Sequence, residues 1–192
     1  MTTIIVNSPK HRRMSLNSRR KITGSNKKEG FMIIEVSGDI LNSKAEAIAH
    51  GIAPSDHFNQ GLALSLREMW PSMAKDFRHY CKLHSPESGT VWTWMGSDGK
   101  KIINMMTQDA PEQEGHNPKP ATLKNVNHAL KELRSLIQKD KIKTVALPKI
   151  ATGVGGLEWA DVKGLIQTNL GDLDTKVYVY TEYKKGMNAL EN

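Results

Sequence analysis

Short apolar runs and helix-spaced apolar stripes follow one another along the chain. Residues 31–37 (FMIIEVS) are rich in β-formers and stop at Gly38–Asp39, which predicts a strand. Residues 47–52 (AIAHGI) form a second run of the buried-strand type, although a turn of helix shares that pattern. The polar, proline-containing stretch 53–60 (APSDHFNQ) predicts irregular backbone. Helical spacing returns over 62–70, where Pro71 interrupts or restarts it. Residues 90–95 (TVWTWM) alternate, Asp98–Gly99 offers a turn, and 101–106 (KIINMM) follows, the pattern of a hairpin. Prolines and charges mark 108–120 as loop. In the clearest helix Leu123, Val126, Leu130, Leu133 and Ile137 stripe one face. Residues 144–147 (TVAL) read as a buried strand, 150–156 (IATGVGG) as a glycine loop, and 158–170 as a second amphipathic helix stopped by Gly171. Residues 176–181 (KVYVYT) are the last strand. Strands that alternate with helices predict crossover connections and a largely parallel sheet covered on both faces.

Composition narrows this picture. A chain of 192 residues with 38% hydrophobic residues suits one α/β domain. No apolar run approaches the roughly 20 residues that span a bilayer, so no membrane contact is expected. The N-terminus lacks the apolar core of a secretory signal. The single cysteine, Cys81, cannot form an intrachain disulfide, and a reducing cytoplasm is the expected setting. No His/Cys spacing suits zinc, so neither metal nor cofactor is expected, and the chain is expected to be a monomer.

The net charge of +7 is local. Residues 1–30 carry Lys10, Arg12, Arg13, Arg19, Arg20, Lys21, Lys27 and Lys28 against Glu29 alone, and the rest of the chain balances. This leader is poor in aromatics and is expected to be disordered. A sharper reading makes it an arm that meets nucleic acid through phosphate contacts.

Two loops carry most of the candidate chemistry. In strand–PKIATGVGG–helix, the glycines at 153, 155 and 156 free the backbone to turn tightly and present N–H groups, and a helix start nearby favours anions. Together these suit a diphosphate. The loop is neither a Walker loop nor a G-x-G-x-x-G dinucleotide turn. The other loop runs from Ala49–His50 to Gly61–Leu62–Ala63.

With Gly38–Asp39–Ile40, the two loops, in this order and spacing, resemble macrodomains over residues 31–185, leaving 186–192 as a short tail. The resemblance lies nearest to the group that includes terminal ADP-ribose protein glycohydrolase and bacterial proteins that process ADP-ribose 1″-phosphate. It implies a three-layer α/β fold with a mixed, mostly parallel sheet, and ADP-ribose or an ADP-ribosylated substrate as partner. It also implies that Asp39 accepts from the adenine amine, with the Ile40 amide nearby and Tyr180 lining that pocket. Ala151, Thr152, Gly153, Val154, Gly155 and Gly156 would hold the diphosphate through the backbone. Asn59, Gln60 and Gly61 would face the distal ribose.

Two departures matter. The lysine that attacks C1″ in that group aligns with Gln108, and its assisting aspartate aligns with Gly155, so the lysyl-adduct mechanism does not carry over. Asp56 and His57 in the ribose loop are then the candidate catalytic groups, with Asp109 beside Gln108 a further one. His50 reads as a buried strand residue. Three functions compete: hydrolysis at C1″ of an ADP-ribose derivative, non-catalytic reading of ADP-ribose, and nucleic-acid association through residues 1–30.

Overall fold

A computed structural model describes residues 33–113 and 116–192. The basic leader, residues 1–30, lies outside them, so its expected disorder and nucleic-acid contacts are not addressed by the fold. Among the described residues no helix is long and apolar enough to cross a membrane.

Six strands form one sheet: β1 (Ile33–Gly38), β2 (Ala47–Ile52), β3 (Val91–Met95), β4 (Lys101–Met106), β5 (Thr144–Pro148) and β6 (Lys176–Tyr183). Their spatial order is β1-β6-β5-β2-β4-β3. All neighbours are parallel except the hairpin β3–β4, which is antiparallel, as the Asp98–Gly99 turn predicts. Helices α1 (Gly61–Met69) and α2 (Pro71–His84) cover one face, and α3 (Leu123–Asp140) and α4 (Trp159–Leu170) the other. The mixed, mostly parallel three-layer α/β fold is therefore present.

Side-chain alternation builds the layers. Ala47, Ala49, Ile103 and Met105 face α3 and α4, where they meet Val126, Leu130, Leu133, Val162 and Ile166. Ile48, Ile52, Ile102 and Met106 face the other way, onto Leu66, Met73 and Phe77. Pro71 restarts the helix rather than ending it, because proline is well suited to the first helical turn. Thr122 caps α3 by accepting from the Asn125 amide at 3.1 Å.

The short C-terminal tail is bonded to the end of β1. Residues 184–192 turn back across Gly38 and Asp39, and a Cβ on Gly38 would lie 2.9 Å from both the Ala189 nitrogen and the Met187 carbonyl. This close approach requires a glycine at the end of β1, and the position also has φ +156°.

Candidate functional site

Two cavities open at the carboxyl ends of the parallel strands, where ligands of open α/β sheets bind. The first, of about 410 Å³, lies where β1 passes into a short 3-10 turn, with Asp39, Ile40 and Leu41 on one side and Tyr180 and Tyr183 from β6 on the other. The second, of about 230 Å³, lies between loop 53–60 and loop 150–156. Gly61, Leu62 and Pro148 line both, so the cavities are two ends of one cleft.

Loop 150–156 leaves a specific set of amides unused. Ile150, Thr152, Gly156 and Leu157 donate to loop carbonyls. Among the described residues, the N–H groups of Ala151, Gly153, Val154 and Gly155 have no protein acceptor, and these four residues line the second cavity. Gly155 is buried, Ala151 half-buried and Gly153 and Val154 exposed, and amides left open in this way along a cavity wall suit an anion. The glycines serve different purposes from those expected. Gly156 takes φ +74°, and a Cβ on Gly155 would meet the Ala151 carbonyl oxygen at 2.5 Å. Gly153 has neither constraint: no heavy atom lies within 4 Å of its Cβ position. The left-handed residue that turns the loop is Ala151, at φ 60°.

Gly153→Val is accordingly expected to leave the thermal midpoint unchanged while lowering affinity for a diphosphate ligand at least about tenfold, roughly 1.4 kcal/mol. Calorimetry alongside thermal unfolding checks this; unchanged binding would place the anion elsewhere.

Loop 53–60 is shaped by its own side chains. Phe58 is fully buried, edge-on to Phe77 with ring centroids 5.4 Å apart and 6.2 Å from the His50 ring. It reaches that place with φ 54°, a left-handed conformation held by Asp56 Oδ1, which accepts from the Phe58 amide at 2.6 Å. Asp56 Oδ2 accepts from the Ala53 amide at 3.3 Å. Asp56 lines the second cavity, yet both its oxygens also hold the loop. His57 does not line it; its carbonyl accepts from Arg67 Nη1 at 3.1 Å. The loop ends at α1, where the amides of Gly61, Leu62 and Ala63 lack intrahelical partners and face the second cavity with the positive end of the helix dipole.

The floor of the second cavity includes His50, Thr107 and Gln108. His50 Nε2 lies 2.8 Å from Asn104 Oδ1, an acceptor, so Nε2 carries the hydrogen. Burial pulls the His50 pKa down to about 4, against the Asn104 hydrogen bond, which raises it. The ring is therefore neutral near pH 7. Thr107 Oγ1 is buried without a protein partner. Gln108 is buried, and its Nε2 donates to the Lys119 carbonyl at 2.9 Å, clasping the loop that brings Pro118 to the cavity wall. Asp109 takes bonds from Ser88 and Asn125, which lower its pKa, and it does not line the cavity.

The cleft thus brings together Asp39, Ile40 and Tyr180 at one end, and Asp56, Gln60, Gly61 and the loop residues Ala151, Gly153, Val154 and Gly155 at the other. Asn59, Thr152 and Gly156 do not line either cavity. Tyr183 was not singled out by sequence, although the length of β6 carried the signal; His50 is buried in its strand, as its sequence predicts, and also lines the cavity. Among the described residues no three His, Cys, Asp or Glu side chains gather as a metal site.

Comparison with known proteins agrees with this architecture. The family model described as Macro domain matches residues 57–166. A DNA ADP-ribosyl glycohydrolase of Mycobacterium tuberculosis is 28% identical over 166 residues, covering 83% of this chain. The chain spans only 46% of that protein's length. Human ADP-ribose glycohydrolase OARD1 is 25% identical, with 80% of this chain and 93% of that protein covered. The solved macrodomain of Thermus aquaticus DarG matches with a TM-score of 0.68 at 26% identity, covering 79% of this chain and 99% of that one.

Proposed function

The chain belongs to the macrodomain family, and from that premise we propose that its cleft binds ADP-ribose and that the protein hydrolyses an ADP-ribose derivative at C1″. One observation carries the binding half: four unused loop amides face the N-terminus of α1 across a cavity continuous with a second, base-sized one. Two anion-attracting elements opposite each other suit a diphosphate. Asp39 and the unpaired Ile40 amide then address the Watson–Crick edge of adenine, an acceptor beside a donor. The distal ribose falls between Asp56, Gln60 and His50.

For the chemical step we take water as nucleophile. Gln108 has no nucleophilic atom and its carboxamide is engaged with Lys119. Asp56 is the anionic group on the distal cavity wall, and so the group that activates water. His57 lies off that wall and is the weaker of the two candidates. The names of the relatives support hydrolysis of ADP-ribose derivatives as the reaction class. A small group at C1″, such as phosphate, fits the distal cavity better than a macromolecule, because Pro118 and Gln60 stand at its wall. The second reading, a reader without turnover, is favoured by the commitment of both Asp56 oxygens to backbone amides.

One experiment separates them. The protein is titrated with ADP-ribose and AMP, then incubated with ADP-ribose 1″-phosphate, ADP-ribosylated protein and ADP-ribosylated DNA. ADP-ribose is expected to bind at least about tenfold more tightly than AMP, roughly 1.4 kcal/mol, and the 1″-phosphate to be consumed fastest. Binding without release of any product establishes the reader. Equal affinity for ADP-ribose and AMP removes the argument from the two facing loops.

A further inference from the structure

The carboxylate at the adenine end is held by a segment that the match to the family, residues 57–166, does not include. The Gly186 amide donates to Asp39 Oδ2 at 2.9 Å, and the Leu41 amide to Oδ1 at 3.1 Å. The Asp39 amide donates to the Met187 carbonyl at 2.7 Å. Residues 186 and 187 therefore bracket Asp39 on its side chain and its backbone.

That strap is itself knotted in place by one side chain. Ser43 Oγ donates to Glu191 Oε1 at 2.6 Å, the Tyr180 hydroxyl donates to the same oxygen at 2.9 Å, and the Lys44 amide donates to Oε2 at 2.7 Å. Glu191 so joins the strap to the turn after Asp39 and to the tyrosine of the cavity. Burial, with the carboxylates of Glu191 and Asp39 close by, pushes the Tyr180 pKa up, so the phenol stays a donor.

The strap does not fill the cavity. None of residues 184–192 lines it, and the space beside Asp39 stays open at about 410 Å³. A segment that competed with the base would have to stand in that space. This one bonds Asp39 without lining that space and fixes its direction, leaving the remaining lone pairs of the carboxylate for a ligand. A carboxylate held at both oxygens cannot rotate to suit a different hydrogen-bonding edge, so its orientation selects the ligand.

We infer that Glu191 is a positioning residue for base recognition: through the strap and Tyr180 it sets the Asp39 carboxylate to accept from a 6-aminopurine and to reject a 6-oxopurine. The inference rests on the ADP-ribose reading above. A 6-oxo group would bring an acceptor against the carboxylate, whereas the exocyclic amine donates to it.

The test compares ADP-ribose with its hypoxanthine analogue on the full chain and on Glu191→Ala. The wild type favours the adenine form. The variant is expected to lose about tenfold of that preference while its affinity for ribose 5-phosphate is unchanged; a merely structural role would weaken all three ligands together. A folded Glu191→Ala protein with full discrimination overturns the inference, as does uniform weakening. Should the variant fail to fold, amide hydrogen exchange on the wild type decides. Bound ADP-ribose is expected to slow exchange at Gly186, and no slowing overturns the proposal. A wild type that binds no ADP-ribose refutes the parent reading, before any variant is made, and takes this inference with it.

Discussion

Lowering the pH from 7 to 4 is expected to cost the fold about 3 kcal/mol through His50 alone. The ring is buried against Phe58 and bound to Asn104, and its pKa falls from 6.5 to about 4. Above pH 6.5 the imidazole is neutral in both folded and unfolded chains, and stability is whole. Between 6.5 and 4 the unfolded chain takes up a proton that the folded protein refuses, so stability drains away as the pH falls. Below about 4 both states are protonated and the loss stops growing. Urea unfolding of the wild type and of His50→Gln, at pH 7 and pH 4, reads this difference. The variant should lose less on acidification, and parallel losses in the two proteins would show that His50 is not the group responsible. The same ring lines the distal cavity and stays neutral in the folded protein down to about pH 4, so ligand binding is expected not to change through His50 over that window.

Installing the lysine–aspartate pair of the glycohydrolase group, through Gln108→Lys with Gly155→Asp, is expected to break the site rather than activate it. A Cβ on Gly155 would lie 2.5 Å from the Ala151 carbonyl oxygen, 2.8 Å from Ala151 Cα and 2.9 Å from Ala121 Cβ. Two of these are backbone atoms of the amide loop, and overpacking of this kind costs about 1–3 kcal/mol. The Gly155 carbonyl also accepts from the Ala121 amide at 3.0 Å, so the strain is passed to the segment that leads into α3. Gln108→Lys removes the clasp on the Lys119 carbonyl. The double variant should show a lower thermal midpoint and no measurable ADP-ribose binding. Normal binding, or a borohydride-trapped lysyl–sugar adduct, would mean that the loop has room for a side chain at 155.

The sequence was legible wherever local chemistry decides the backbone. The apolar run 47–52 is the buried strand β2 rather than a helical turn, and Asp98–Gly99 closed the predicted hairpin. Gly38–Asp39–Ile40 and loop 150–156 came to line the cleft. Less legible was the division of labour inside the loops. Three glycines look alike in sequence, but packing against the Ala151 backbone and Ala121 distinguishes Gly155 from Gly153, and nothing in an alanine announces the left-handed turn at Ala151. His57 reads as chemical because its loop is polar. Burial of the neighbouring Phe58 and the bond from Arg67 set the course of the loop, and His57 ends off the cavity wall. His50, which reads as mere core, reaches the cavity because the strand ends there. Residues 186–192 have no periodicity and read as a tail, since the bonds that hold them reach back almost 150 residues, from Gly186 to Asp39 and from Glu191 to Ser43.

Those long reaches also bear on how the protein is made. Among the described residues, strand β1 lies at the edge of the sheet beside β6, and the carboxylate after it waits for Gly186. On a ribosome adding about 5–20 residues per second, the first strand of the sheet emerges early and its partner emerges last. The β2–β4 and β3–β4 pairs, and the amide loop, have all their residues in hand well before then. The phosphate end of the cleft is therefore assembled ahead of the base end. A nascent chain stalled before residue 176 carries an unpaired edge strand, the kind of exposed template that invites aggregation.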